Sequence, residues 1–521
     1  MKAGSSRQHD LLPVPPVWLL LVAITALYMA FLTRTYYWDG VLFALDIEAV
    51  HHGTMAPAGL FHPNHLLYSA LGSVLYSAVL ALRLNVRALS VLQVFNVFLS
   101  VLTGYLVYLL SRRLTQCRVI AIFCWLLFAV GATWWKFSTD ADSYVVSVLL
   151  VVLVAWFLLE TPQRIFAAAG CHIAAMLFHE LAIFTYVPVI TIIALDSQRS
   201  VARRFWMSVA YLAGTGSAVG AVYLLCYTQV DRTAFPSLFR WITSYASDSG
   251  FTHSLGQIVG SYLTSYVKLF LGGRLGFIGD YFSVAICLSL LACVSALVWA
   301  IILFRGRPQL DASVRINRNA VIFLWVWLIS YAIFLASWDP GSAFHKLFVW
   351  PPIALLIGVY LAQRDALLAR AKAFVAIAVA IAGWNFAAFI YPHSHASADP
   401  VLTLAQTIDK ELPKTATVYF RVLDPDDWYL EYFAPGRFWS PIQTQGGRAY
   451  IGFTNSPAGP VCFETTALAL LENAPEFHSD IDPNRRWDLV NSKHNVRLEC
   501  LKERRWRLTR PGFGRPAHSP Q

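Results

Sequence analysis

Long apolar runs separated by short polar segments occur from the N-terminal region to about residue 390. Most of these runs reach the roughly 20 residues that an α-helix needs to cross a bilayer. The pattern therefore predicts an all-α polytopic membrane protein with about eleven transmembrane helices. The predicted helices are about 17–33, 89–110, 119–135, 143–160, 165–180, 181–195, 205–227, 282–304, 319–336, 347–362 and 373–390.

The composition agrees with this class. Hydrophobic residues make up 57% of the chain and charged residues 13%, whereas a soluble globular protein carries about 25% charged residues. A coiled coil, a disordered chain and a large soluble enzyme are thereby excluded.

Basic residues are distributed unevenly between the loops on the two sides. If 66–82 and 258–272 lie in the membrane interface, 16 Lys and Arg fall in the short loops of one side and nine in the long loops of the other. The positive-inside rule then places the N-terminus in the cytoplasm and the C-terminus outside. The net charge of +10 follows this asymmetry and indicates no nucleic-acid partner. We expect a multi-pass protein of a bacterial inner membrane with membrane lipids around it.

Two domains are predicted. Residues 1–390 form the membrane domain, whose long outer loops 34–88 and 228–281 contain interfacial helices and are the expected location of the chemistry. Residues 391–521 are richer in Pro, Asp and Arg and contain short alternating runs, which predict a small extracytoplasmic α/β or α+β domain. Cys462 and Cys500 are the only cysteines in that domain. They form a disulfide if the compartment is oxidising, or else they are two buried free thiols.

The first outer loop carries three acids around a predicted amphipathic helix. Asp39 precedes the helix, and Asp46 and Glu48 lie off its apolar face. Asp39 either caps the helix N-terminus or acts as a general base that accepts a proton from an attacking hydroxyl. Asp46 and Glu48 are candidate substrate ligands.

His62 and His65 flank Pro63 in the same loop. They either hold a phosphate or a sugar hydroxyl, or simply anchor the chain at the headgroup level. With Asp39 and Asp46 they are a weak candidate site for a divalent metal; no other cofactor is indicated.

Further candidate substrate ligands lie in three other polar segments. These residues are Lys136, Asp140, Asp142, His179, Glu180, His345 and Lys346. Lys346 either binds a lipid phosphate or extends to the headgroups without specificity. The middle of the predicted spans is almost free of charge, which favours an enzyme at the interface over an ion-coupled transporter.

Several short motifs, in this order and spacing, resemble the GT-C type membrane glycosyltransferases, nearest the protein O-mannosyltransferases and the lipid A aminoarabinose transferases. The resemblance covers about residues 36–390. The motifs are Asp39, His62-Pro63, Arg112-Arg113-Leu114, Asp142, and Lys346 followed by Pro351-Pro352.

The resemblance implies inverting transfer of a sugar from a polyprenyl-phosphate carrier to an acceptor lipid, glycan or protein at the outer face. Asp39 would be the catalytic base, Asp142 would line the same pocket, and Lys346 would contact the lipid phosphate. The chain departs from the family pattern at Asn64 and at His179-Glu180. The alternatives are a carrier or flippase for lipid-linked saccharides, and a non-catalytic scaffold for envelope assembly.

Overall fold

The structure is a computed structural model. It describes residues 16–160, 163–244, 255–305, 316–421, 426–436, 438–441, 443–445, 448–450, 459–470, 481–490 and 495–501.

Helices make up most of the described chain. They are α1 (Val17–Ala30), α2 (Trp38–His51), α3 (Tyr68–Ala81), α4 (Ala88–Thr115), α5 (Arg118–Val130), α6 (Ala132–Ser138), α7 (Tyr144–Leu158), α8 (Ile165–Phe178), α9 (Tyr186–Ala194), α10 (Val201–Tyr227), α11 (Leu238–Ile242), α12 (Leu255–Phe270), α13 (Leu275–Asp280), α14 (Val284–Arg305), α15 (Arg318–Trp338), α16 (Trp350–Ala362), α17 (Asp365–Leu368), α18 (Ala371–Asn385), α19 (Tyr391–His393), α20 (Pro400–Glu411), α21 (Asp426–Phe433) and α22 (Thr465–Leu470). Short 3-10 helices lie at Pro57–Leu60, Pro63–His65, Glu180–Thr185, His345–Val349 and Ala396–Ala398, and a π-helical turn at Phe386–Ile390.

Each of the eleven predicted spans contains a helix, which confirms a polytopic helical membrane protein. Six helices in the described ranges are long and apolar enough to cross a membrane alone, or seven if α5 and α6, which meet at a bend of 67°, form one broken span. The helices in the other four predicted spans have 17 residues or fewer. Eleven spans and the interfacial placement of 66–82 and 258–272 therefore stay predictions.

Large aromatic side chains fill the space between the helices. Trp125, Trp134, Trp327 and Trp350 are almost completely buried. The Trp350 indole donates a hydrogen bond to the carbonyl of Phe128 at 2.9 Å. This bond joins the first residue of α16 to α5.

The C-terminal part contains a mixed five-stranded sheet. Its strands are β1 (Thr417–Phe420), β2 (Phe438–Pro441), β5 (Val461–Glu464), β6 (Ile481–Val490) and β7 (Asn495–Leu501), in the order β2-β1-β5-β7-β6; β3 (Gln443–Gln445) and β4 (Arg448–Tyr450) pair separately. β1 is parallel to both of its neighbours, whereas β7 is antiparallel to β5 and β6. With α20, α21 and α22 this confirms a small α/β unit. The boundary at residue 391 stays a prediction, because helix continues to His393.

Cys462 and Cys500 lie directly opposite each other on the antiparallel strands β5 and β7 and are joined by a disulfide. We therefore expect neither cysteine to react when denatured, unreduced protein is alkylated, and both to react after reduction. Mass spectrometry of the peptides that contain them measures this directly. Full alkylation without a reductant would contradict the bridge.

Candidate active site

The N-terminus of α2 packs closely on the turn between α6 and α7. A Cβ on Gly40 would lie only 2.0 Å from the carbonyl oxygen of Ala141, so no larger residue fits without moving one backbone from the other. Asn96 fixes the turn from α4, since its side-chain amide donates to the carbonyls of Asp140 and Asp142 at 2.8 and 2.7 Å. Asp39 is thereby held beside Asp142.

Asp39 lies in the first turn of α2 and is about one-fifth exposed. The N-cap of α2 is Tyr37, and no side chain caps it, so the structure gives Asp39 no capping role. Burial raises the pKa of Asp39 to about 6, while the charge of His62 and a hydrogen bond from the Trp38 side chain act in the opposite direction. A carboxylate with this pKa is a stronger base than an ordinary aspartate.

His65 faces the Asp39 carboxylate. Pro63 begins the 3-10 helix that carries His65, and its carbonyl accepts a hydrogen bond from Tyr223 at 2.5 Å. The Nδ1 of His65 lies 2.7 Å from the hydroxyl of Ser143, and its Nε2 lies 3.8 Å from Asp39 Oδ2. Burial lowers the pKa of His65 to about 3, so its ring is neutral.

Asp142 is completely buried. Its Oδ1 accepts the backbone N–H of Tyr144 at 3.1 Å, and its Oδ2 has no hydrogen-bond partner among the described residues. Burial, and then the nearby Asp39 carboxylate, raise the pKa of Asp142 well above its usual range. Two carboxyl groups so placed disfavour double ionisation, and the more exposed Asp39 is the one that ionises first.

Lys136 and Asp140 form a buried ion pair at 2.5 Å. The Asp140 carboxylate also accepts the backbone N–H of Tyr37 at 2.9 Å. Asp140 Oδ2 accepts from both Lys136 and Tyr37, and Oδ1 accepts the N–H of Ala141. Asp140 therefore positions Tyr37 and Lys136.

Asp46 and Glu48 lie further along α2 and away from Asp39. Asp46 pairs with His62 at 2.7 Å. Both oxygens of Glu48 lie 2.9 Å from Arg87 Nε, and Oε1 also accepts the first N–H of α4 and the hydroxyl of Tyr432. At a rise of about 1.5 Å per residue, Glu48 is roughly 13 Å from Asp39 along the helix. Its contacts make it a structural anchor.

The next two candidate residues are His179, which lies near His65, and Glu180. The His179 ring lies 4.7 Å from that of His65 and 4.4 Å from that of Tyr144. His179 Nδ1 accepts the N–H of Leu181, whereas Nε2 has no hydrogen-bond partner in the described parts of the chain. Glu180 follows it and is exposed.

His345 and Lys346 make contacts within their own loop. His345 Nδ1 lies 3.1 Å from Asp339. Lys346 is fully buried; its ammonium donates to the carbonyls of Pro340 and Ser342 at 2.9 Å each and lies over the rings of Tyr262 and Tyr266. These contacts lock the loop 340–346 against α12.

A cavity of about 450 Å³ is lined by Lys136 and Phe137 of α6, near Tyr37. Three cations line it: Lys136, Lys268 and Arg274. Its large apolar lining residues are Phe137, Leu271, Phe277, Phe344 and Phe389, and Ala343, Ala398 and Pro400 complete the apolar lining.

Tyr37 connects the cavity to Asp39. Its ring stacks on Trp38 at 4.4 Å and contacts the cavity residues Phe137 at 5.5 Å and Phe344 at 4.9 Å. Tyr37 thus packs against two residues that line the cavity and lies two positions before Asp39 in the chain.

Lys268 and Arg274, which line the cavity, are not among the candidate residues predicted from the sequence. Arg274 is placed by a turn at Gly273, which has a φ of +96° that favours glycine. The available signal was the Gly272-Gly273-Arg274 sequence inside a long loop.

Comparisons with known proteins agree with the architecture. No protein-family model matches this chain, and no curated protein matches it. Among solved structures, ArnT from Cupriavidus metallidurans bound to undecaprenyl phosphate has a TM-score of 0.59 and 12% identity, covering 93% of this chain and 98% of its own. The apo state of the same ArnT has a TM-score of 0.57 and 13% identity, covering 93% and 97%.

The fold is GT-C-like. At such low identity the likeness establishes the fold alone, as the sequence resemblance predicted it. In this GT-C-like fold, the described residues contain no group of three or more His, Cys, Asp or Glu side chains that could hold a metal ion. The two pairs His62–Asp46 and His65–Asp39 are separate contacts.

Proposed function

We propose that this protein is an inverting glycosyltransferase that moves a sugar from a polyprenyl-phosphate carrier to an acceptor at the outer face of the membrane. The observation that carries the proposal is the packing of Tyr37, two positions before Asp39, against the cavity residues Phe137 and Phe344. The reaction needs a general base for the acceptor hydroxyl and a binding site for a phosphate that is attached to an apolar prenyl chain. The bound undecaprenyl phosphate in the ArnT structure supports a carrier of that class.

The proposed chemistry is a single displacement. The acceptor hydroxyl oxygen attacks the anomeric carbon and Asp39 takes its proton, while the bond from that carbon to the phosphate oxygen breaks. The phosphate leaves with the bonding electrons as a stable anion, so it needs little acid assistance. A general base contributes roughly 10²–10⁴-fold in rate.

The cavity supplies the donor site in this proposal. Lys136 is neutralised by Asp140, whereas Lys268 and Arg274 form no ion pair with a described residue. We assign the phosphate to Lys268 and Arg274, because charge-assisted bonds to phosphate are the strong ones. The phenylalanines would accommodate the first part of the prenyl chain. Lys346 already donates to two carbonyls, so we assign it to the loop.

Transfer is tested with purified protein in nanodiscs. The donors are undecaprenyl phosphates carrying a labelled neutral hexose, N-acetylhexosamine or aminopentose, and the acceptors are lipid, glycan and protein fractions of the cell envelope. We expect label to enter one fraction while an equal amount of undecaprenyl phosphate is released. Label that remains on the carrier with every donor and every fraction would contradict the proposal, and movement of intact donor between leaflets would favour a flippase.

The pH dependence follows from the pKa of Asp39, which is raised to about 6. A general base must be ionised, and Asp39 is ionised above its pKa. We expect kcat/KM to fall about tenfold per pH unit below pH 6 and to level off above it. A profile measured from pH 4.5 to 8 tests this; a constant rate between pH 5 and 7 would exclude Asp39 as the titrating base.

A further inference from the structure

The C-terminal unit holds the helix that carries Asp39. Helix α21 packs on α2, and two of its tyrosines contact opposite ends of that helix. Tyr429 reaches the chain just before α2, and Tyr432 reaches Glu48 near the end of α2. Both tyrosines are more than nine-tenths buried.

The contact at the start of α2 is short. The Tyr429 hydroxyl lies 2.7 Å from the carbonyl oxygen of Tyr36 and 3.2 Å from Asp399 Oδ2. A hydroxyl has one proton to donate, and the shorter contact identifies Tyr36 as its acceptor. The ring of Tyr36 also stacks on Phe433 at 5.7 Å. Residue 36 is three positions before Asp39, so this bond fixes the entry of the chain into the site.

The contact at the other end is a network. The Tyr432 hydroxyl donates to Glu48 Oε1 at 2.9 Å and accepts the N–H of Leu89 at 3.1 Å. The guanidinium of Arg87 lies 3.8 Å from the Tyr432 ring centre, donates to the Tyr432 carbonyl and pairs with Glu48. Tyr432 therefore ties the end of α2 to the start of α4.

We propose that α21 is a positioning element of the active site, in which Tyr429 and Tyr432 hold α2 at both ends and so fix the placement of Asp39 against His65 and Asp142. A helix held at one end can still pivot, whereas a helix held at two points cannot shift along its axis or rotate freely. Misplacement of a reacting group by about 1 Å can cost about 10²-fold in rate. This inference rests on the proposed function for its effect on rate, but not for the geometry.

The first test does not depend on activity. Hydrogen–deuterium exchange is measured in the full chain for Tyr429→Phe combined with Tyr432→Phe, which keeps both rings and removes both hydroxyls. The matched control is Tyr227→Phe, which removes a similar bond to the carbonyl of Phe235 at the C-terminal end of α10 and leaves both α21 contacts in place. We expect faster exchange in the peptides of residues 36–52 in the double variant only. Unchanged exchange there would overturn the clamp.

The second test separates positioning from simple structural support. In the double variant we expect kcat to fall at least about tenfold while the affinity for undecaprenyl phosphate stays within about twofold, because the cavity contains neither tyrosine. We also expect the acid limb of the rate profile to move to lower pH, because loosening α2 admits water to Asp39. Wild-type kcat and an unshifted limb, in protein whose wild type is active, would overturn the rate effect and leave the proposed function intact. If the wild type transfers no sugar, the exchange measurement alone decides whether the clamp exists.

Discussion

Replacing Asp39 by Asn should reduce sugar transfer at least about a hundredfold while leaving the protein folded and able to bind its lipid donor. Asn has nearly the shape of Asp but cannot accept the hydroxyl proton, so the variant removes the base and little else. The expected loss is the usual contribution of general-base catalysis, roughly 10²–10⁴-fold. The measurement is the initial rate of undecaprenyl phosphate release under saturating donor.

Asp365→Asn is the matched control. Asp365 also lies in the first turn of a helix, but it is exposed, and the same substitution there should leave the rate unchanged. Binding of undecaprenyl phosphate to Asp39→Asn should stay within about threefold of the wild type. Transfer at the wild-type rate by purified Asp39→Asn would remove Asp39 from the mechanism and direct attention to Asp142.

The same variant separates an enzyme from a carrier. A protein that only binds or moves a lipid-linked saccharide needs the cationic cavity, but it has no use for a base with a raised pKa beside it. Loss of transfer with retained lipid binding would therefore identify the chemical step as the one that depends on Asp39. Movement of the donor that is equal in wild type and variant would favour the carrier.

The sequence predicted the helical segments well because an apolar run of membrane length has few other stable structures. It also pointed to Asp39, His65 and Asp142, which the structure brings together from three separate elements. That Asp142 lies in the same pocket as Asp39 was implied by the family resemblance, not by the spacing of the residues. The finer geometry depends on contacts such as Gly40 against Ala141, which no local pattern encodes.

The hydrogen-bond and ion-pair partners of charged residues, distant in sequence for Glu48 and local for Lys346, could not be predicted from the sequence. In the sequence, Glu48 is an acid in an outer loop with no evident partner. In the structure it pairs with Arg87 and accepts a hydrogen bond from Tyr432, 384 positions away. The sequence predicts Lys346 as a ligand of the lipid phosphate; in the structure its ammonium donates to two carbonyls of its own loop, and its role at the phosphate stays a prediction. Spacing along the chain reveals a charged residue but not which partner neutralises it.

The cavity cations give the second large effect. Lys268→Ala combined with Arg274→Ala should weaken binding of undecaprenyl phosphate by about a hundredfold or more. A hydrogen bond to a charged group contributes about 1.5–3 kcal/mol, so two such contacts together account for this loss even if they are not fully additive. Native mass spectrometry or titration with undecaprenyl phosphate in detergent measures the affinity, and Lys410→Ala, at a side chain that is 82% exposed, is the control.

Lys346→Ala distinguishes the two possible positions of the phosphate. If the phosphate lies at Lys268 and Arg274, this variant should chiefly lower thermal stability, because it removes the lysine donor from the Ser342 carbonyl and leaves the Pro340 carbonyl with the Ser265 hydroxyl alone. If the phosphate instead lies at Lys346, the loss of affinity should appear in this variant while the cavity double variant binds normally. The second outcome would return the donor site to the loop 340–346. The first would support the donor site at Lys268 and Arg274, and inversion then requires the acceptor hydroxyl, with Asp39 as its base, to approach the anomeric carbon from the face opposite the phosphate.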